Sequence, residues 1–433
     1  MKRLLTAAAA LAAPLAFGPA PLSAQDFAIT NATVATGDGS EPMQNATVVV
    51  RQGKIVAAGT GIAAPVGIPV LDGRNSWVTP GIFMPLTDLG LYDVGAVGES
   101  NDLRASGSPF SAALDASTAV NYASQHVAVS RVGGVTRASI TTSPVGSIFA
   151  GQGAIIDTGA DPQAVMKPRA FQMVALGETG ARLAGGSRIA AFAEFANALR
   201  EAREFANGRW DAESALLPRA DVEALGKVLS GSQQLYVFAE RASDIRSVIG
   251  LIGTYPDLDL VLVGASEGWM VASEIAASGI PVVADPLDNL PSSFEQLAAT
   301  QSNIGRMVDA GVKVAIGGLS GGITGPRTAP QFAGNLVGLS RVPGATGLTW
   351  GEALASITSI PAEISGYGGR YGVLAPGAAG DVVIWDGDPL EVSSAPVRVY
   401  IDGIEQPLSN HQTRLRERYR DLDESVLPKA YDW

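Results

Sequence analysis

The chain has 433 residues, 46% of them hydrophobic, with 51 glycines and no cysteine. That is enough chain for a large buried core divided between one big domain and a smaller one, and the lack of cysteine excludes disulfides, thiolate nucleophiles and thiolate metal sites. The net charge of −12 comes from scattered acids, which fits a solvated surface and disfavours nucleic acid as a partner.

The N-terminus reads first. Lys2 and Arg3 precede an apolar run from Leu4 to Phe17, and Leu22-Ser23-Ala24 forms a small-residue exit. This is the layout of a secretory signal peptide cut after Ala24, so a periplasmic or secreted protein is expected. The apolar run is short and interrupted by Pro14, which argues against a membrane anchor, and no cysteine follows it to carry a lipid.

From Phe27, "FAITNATVATGDG", "NATVVVRQGKIVAAG" and "GIPVLDGRNSWVTPG" alternate β-branched with small or polar residues between turn signals. They predict antiparallel strands too few to close a sandwich alone. The same grammar returns at residues 372–408, in "DVVIWD" and "VRVYIDG". Both ends are therefore expected to build one discontinuous β-sandwich from 25–79 and 367–409. The span 80–366 is expected between them, and a charged tail helix over 410–433.

The middle alternates short apolar strands with amphipathic helices. Strands are predicted at 77–84 and in "GVTRASITT", "FAGQGAIID", "AFQMVALG", "QLYVFAE", "LDLVLVGA", "IPVVADP" and "VKVAIGG". Helices are predicted in stretches such as "SRIAAFAEFANALREAREFANGR" and "ASDIRSVIGLIGTY". Eight such strands predict an α/β fold, a (β/α)₈ barrel of parallel strands. A doubly wound sheet is disfavoured, because no Gly-rich phosphate fingerprint follows the first strand.

A composite β-domain around a barrel, "VTPG" before the first barrel strand, and "PGAAGDVVIWDGDP" late in the chain resemble the amidohydrolase superfamily, in particular its exported imidazolonepropionase-like branch. "GVTRASI", "GSIFAGQGAIID", "ERASDI", "NLPSSFEQL", "AGVKVAIGG" and "ALASITSIPAEISG" resemble further landmarks of that branch, from about Phe27 to Arg420. The resemblance implies metal-dependent hydrolysis of C–N bonds in amides or peptides, with zinc or another divalent ion. It implies a His-x-His pair at the end of the first barrel strand, a further histidine on a later strand, and an aspartate on the last strand.

This sequence departs from that pattern. The matching positions are Leu86 and Asp88 in "PGIFMPLTDLG", Phe238 in "LYVFAERASDI" and Leu319 in "AIGGLSGG". Leucine and phenylalanine have no lone pairs for a metal, and a catalytic zinc takes about three protein ligands. The chain has two histidines, His126 ahead of the second barrel strand and His411 near the C-terminus. Neither is at a strand end, so both are expected to be surface or satisfied side chains. No metal is therefore expected.

Other chemistries have weaker signals. Asp88, Asp157, Glu178, Glu240, Glu267 and Asp285 each fall near a predicted strand end, and Asp88 and Glu240 are the candidates for a carboxylate-based acid/base site. The plain alternative is that all six are ordinary loop acids. An inward-facing Asp88 needs a donor, and Arg137 on the next strand is the candidate. Lys167, the nearest candidate for a carboxylated metal-bridging lysine, is expected before its strand because Pro168 follows it. Ser320 in "GGLSGG" has no histidine partner for a nucleophile elbow, and Trp269 reads as a packing aromatic. Arg414, Arg416, Arg418 and Arg420 fit no single helix face, so the tail is expected to lie solvated on the β-domain.

The expected function is that of an exported, catalytically silent amidohydrolase homologue. Its expected partners are a second copy or an active amidohydrolase paralogue that keeps the histidines, and a small amide or peptide ligand. The alternative is an active hydrolase with a rebuilt carboxylate site.

Overall fold

The computed structural model describes residues 24–317 and 325–420. The expected signal peptide therefore lies outside the described residues, apart from Ala24. Leu319, Ser320 and the end of the tail also lie outside them. Among the described residues, no helix is long and apolar enough to cross a membrane.

Sixteen strands are seen among the described residues. Six precede the first long loop: β1 (Phe27–Val34), β2 (Met43–Arg51), β3 (Lys54–Thr60), β4 (Val70–Asp72), β5 (Trp77–Pro80) and β6 (Ile82–Thr87). β7 (Val135–Ile140), β8 (Phe149–Asp157), β9 (Val165–Ala175), β10 (Gln234–Ala239), β11 (Leu260–Gly264), β12 (Val282–Ala284) and β13 (Val314–Ile316) follow. β14 (Val382–Trp385), β15 (Pro396–Ile401) and β16 (Ile404–Glu405) close the chain.

They form two eight-stranded sheets. The first runs β16-β15-β14-β5-β1-β2-β3, with β4 beside β1, so strands from the two ends of the chain meet at β14 and β5. There Val78 lies opposite Ile384 and Trp77 opposite Trp385. Alternation along β1 and β2 sends Ile29, Val48 and Val50 into one apolar core with Val78, Val382 and Tyr400. The N-terminal strands are not uniformly antiparallel as expected. β2 and β3 are, but β4 and β5 run parallel to β1. The long stretch 61–69 gives the chain room to return before pairing again, which a tight hairpin could not do.

The second sheet, β13 through β6, curls so that β13 approaches β6. Its strands are buried on both faces, as β6, β7 and β11 show along their whole length. Helices such as Arg188–Ala206 and Ala242–Thr254 cover the outside. This is the expected α/β barrel with a second sheet, with one difference. β8 is antiparallel to both β7 and β9. Residues 158–164 join β8 to β9 as a tight return with no helix, and a hairpin of this kind reverses strand direction. The loop that follows β6 covers this strand instead. Gln152 N–H donates to Leu114 O, and the Asp221 carboxylate holds that loop through the N–H groups of Ser111 and Ala113.

Gly81 sits at the junction between the sheets. Its N–H donates to Asp381 O, and a Cβ there would lie 2.1 Å from Thr136 Oγ1. The "VTPG" glycine thus lets the first barrel strand pass hard against the second.

Candidate functional site

The C-terminal ends of the parallel strands define the barrel mouth, where barrels of this kind carry their sites. Leu86, next to last in β6, has φ of 52°, a left-handed conformation that leucine adopts rarely and histidine more readily. It is buried, and it packs in one apolar cluster with Phe83, Met173, Val263 and Val283. Phe238 lies half-buried against the same cluster. Both positions therefore face the same apolar barrel interior.

Asp88 is two residues on, half-buried at the rim. Its carboxyl is held above the usual range by burial, opposed by its own backbone N–H and by the field of His126. Arg137 is not its partner. The register sets Arg137 opposite Phe83 at the start of β6, at the other end of the barrel. There the guanidinium is bound by Asp381, Asp402 and, at 3.8 Å, Asp157, and it lies 4.4 Å from the Tyr371 ring centroid. Asp157 falls at that end because β8 runs backwards. Burial raises its carboxyl to about 6, with Arg137 pulling the other way.

The other acids do not form one site. Glu240 follows β10 and is buried. One of its oxygens accepts Ser266 N–H and Oγ–H, both at 2.7 Å. Burial pushes its carboxyl up to about 7, the Ser266 bonds oppose this, and Glu295 and Asp288 add to it. Gln296 donates to Asp288 and to Ser266 Oγ, closing the network. Sequence reasoning missed Ser266, Asp288 and Gln296, which come from separate loops. Glu267 accepts the N–H groups of Ala242 and Ala298. Glu178 lies beside Arg188 and Glu295, and Asp285 caps the turn at Leu287.

The two histidines differ. His411 opens the helix His411–Arg418 and is exposed. That helix packs near the barrel helix Gln125–Val132, with Gln412 accepting from Arg327, rather than lying on the β-domain alone. His126 is buried. Its Nε2 lies 2.9 Å from Asp93 O, so that nitrogen carries the proton. Nδ1 is buried and has no hydrogen-bond partner. Lys167 lies within β9 rather than before it, and is exposed. Trp269 Nε1 donates to Ala298 O and its ring packs under Arg306, a structural role.

The donors of the described residues do not make up a set for a catalytic divalent metal. Among the described residues, no group of three or more His, Cys, Asp or Glu side chains could hold an ion. Leu86 and Phe238 present only carbon.

Residues 242–404 match the amidohydrolase family. A 60-residue stretch is 50% identical to the amidohydrolase tasK of Hapsidospora irregularis, which covers 14% of this chain and only 6% of that protein's length. Among solved structures, an amidohydrolase from Thermotoga maritima MSB8 superposes with a TM-score of 0.77 at 23% identity, covering 88% of this chain and 99% of that one. Molinate hydrolase superposes with a TM-score of 0.55 at 16% identity, covering 89% of this chain and 95% of that one. The family match runs from the helix Ala242–Thr254 to β16, and the solved structures share the barrel-and-sheet fold of this chain.

Proposed function

We propose that this chain is an exported amidohydrolase homologue that has lost its metal ligands and acts as a catalytically inactive partner or ligand-binding subunit. The observation that carries this reading is the packing of Leu86 and Phe238 in one apolar cluster inside the barrel. Family activity, the hydrolysis of amide or peptide C–N bonds, needs a cation that polarises the carbonyl and activates water. A bare cation beside hydrocarbon has no compensation for its lost hydration. Export rests on the leader pattern ending at Ala24. The partner is a second copy or an active paralogue.

The test is to purify the mature chain, measure zinc, manganese and iron by elemental analysis, and assay amide and peptide hydrolysis. Sub-stoichiometric metal and no turnover are expected. Stoichiometric metal with metal-dependent hydrolysis overturns the reading.

A second reading, a hydrolase with a rebuilt carboxylate site, is favoured by one observation: Glu240, pushed up to about 7, is poised for proton transfer near neutral pH. It requires that Glu240→Gln or Asp88→Asn abolish a measurable hydrolysis. Its weakness is that Glu240 is already engaged with Ser266.

A further inference from the structure

We propose that the cavity at the barrel mouth binds a small primary ammonium ion, with the Asp88 carboxylate as its counter-charge and Leu86, Leu103 and Met173 around its alkyl stem. This deepens, and rests on, the reading of the barrel as a binding module.

The cavity measures about 170 Å³, well below the roughly 300–1,000 Å³ of pockets for drug-sized ligands, so its occupant is small. Asp88 is its one charged lining residue among those described. No side-chain donor among the described residues reaches that carboxylate; its hydrogen bond is to its own backbone N–H. A half-buried carboxylate in that state gains from a charged donor.

The hydroxyl groups around it make the same demand. Thr87 Oγ1 donates to Ser139 O at 3.2 Å, Thr141 Oγ1 to Thr142 O at 3.3 Å, and Thr142 Oγ1 to Ala150 O. Their hydrogens are committed, and each oxygen has only lone pairs left to offer. With Asp88, these three acceptors stand against one hydroxyl whose hydrogen is uncommitted, Ser143 Oγ. An ammonium has three donors and no acceptor, whereas an amide or carboxylate brings acceptors of its own. A neighbouring cavity shares Thr142 and Ser143, and its charged lining residues are Asp102 and Asp115, the latter paired with Arg169 at 2.8 Å. No lysine, arginine or histidine lines either cavity among the described residues, so Asp88 and Asp102 are the unpaired charges that a bound ion meets there.

The test is calorimetric titration of the mature chain with butylammonium chloride and, separately, with neutral butyramide. Saturable 1:1 binding of butylammonium is expected, at least tenfold tighter than butyramide. Asp88→Asn is expected to weaken the ammonium at least tenfold. Leu103→Trp, which fills the cavity without touching a charge, is expected to abolish it; this second variant covers a failure of Asp88→Asn to fold. Equal binding of amide and ammonium, unchanged binding in either folded variant, or no saturation in the parent overturns the proposal. Those outcomes leave metal content and hydrolysis untouched. Metal-dependent turnover would instead overturn the inactive reading, and the ammonium titration would stand by itself.

Discussion

Arg137 in the second barrel strand and Asp381 at the head of β14 form a two-pronged ion pair, with Nε–Oδ2 at 2.7 Å and Nη2–Oδ1 at 2.8 Å, and each side chain is 2% exposed. The pair ties the floor of the barrel to the sheet built by the chain ends. Burial works against the guanidinium charge, but Asp381 and Asp402 outweigh it and hold the group well above its ordinary value. Asp402 also donates its backbone N–H to Asp381, so the three residues form one unit.

Removing one side of a buried pair strands the other charge. Asp381→Asn is expected to destabilise the chain by about 3–5 kcal/mol, the range for broken buried pairs, with Asp402 holding the loss toward the lower end. Equilibrium urea unfolding measures it. A cost under ~1 kcal/mol would mean that the tie between the sheets is dispensable.

Gly81→Ala tests the junction itself. The new methyl meets Thr136, on a neighbouring strand with no room to withdraw. A loss of at least ~2 kcal/mol is expected from overpacking. Thr136→Gly in the same chain is expected to restore part of it, giving a coupling energy in a double-mutant cycle. Additive effects would place the strain elsewhere.

Glu240 gives a pH signature. Its folded-state value of about 7 lies above its ordinary value of 4.5. Below the ordinary value both folded and unfolded states are protonated. As pH rises from about 4.5 to about 7 the unfolded state ionises first, so the parent loses stability across that window. Glu240→Gln does not titrate. Its stability relative to the parent is therefore expected to rise through the window by on the order of 2–3 kcal/mol and flatten above it. Thermal unfolding from pH 4 to 9 checks the slope. A flat difference would show that Glu240 ionises in the folded chain at its ordinary value.

The mouth can be asked whether it once held a metal. Leu86→His with Phe238→His adds two imidazoles to the barrel interior below Asp88, and the left-handed backbone at residue 86 suits histidine better than leucine. Three donors are the minimum for a zinc site with an open position. The double variant is expected to retain zinc on dialysis at least tenfold better than the parent. Equal retention would mean that the two positions do not converge closely enough to share an ion.

The sequence showed much of the fold. β-branched alternation at 27–60 and again at 382–401 marked one sheet split between the ends, and each predicted barrel strand from β7 onward has a counterpart. Strand direction was less legible, because composition does not encode it. The sign for β8 was a spacing too short for a helix before β9. That missed reversal also misplaced Asp157. The Arg137–Asp88 pairing failed for a related reason. Neighbouring strands suggested proximity, but register put the two side chains at opposite ends of the barrel. That Leu86 and Phe238 face the barrel interior was legible because both lie near the ends of well-marked strands. The Glu240–Ser266–Asp288–Gln296 network was not, since loops distant in sequence carry no shared periodicity.

The pairing of β5 with β14 has a consequence for how the chain comes into being. Val78 meets Ile384 across some three hundred residues, and until that late segment exists β5 presents an open edge of hydrogen-bonding groups to any other nascent chain. Truncations that end before residue 382 are therefore expected to aggregate during synthesis, and maturation is slow because its last step is also its longest-range one. Holding the polypeptide unfolded until its final strands emerge would protect that edge.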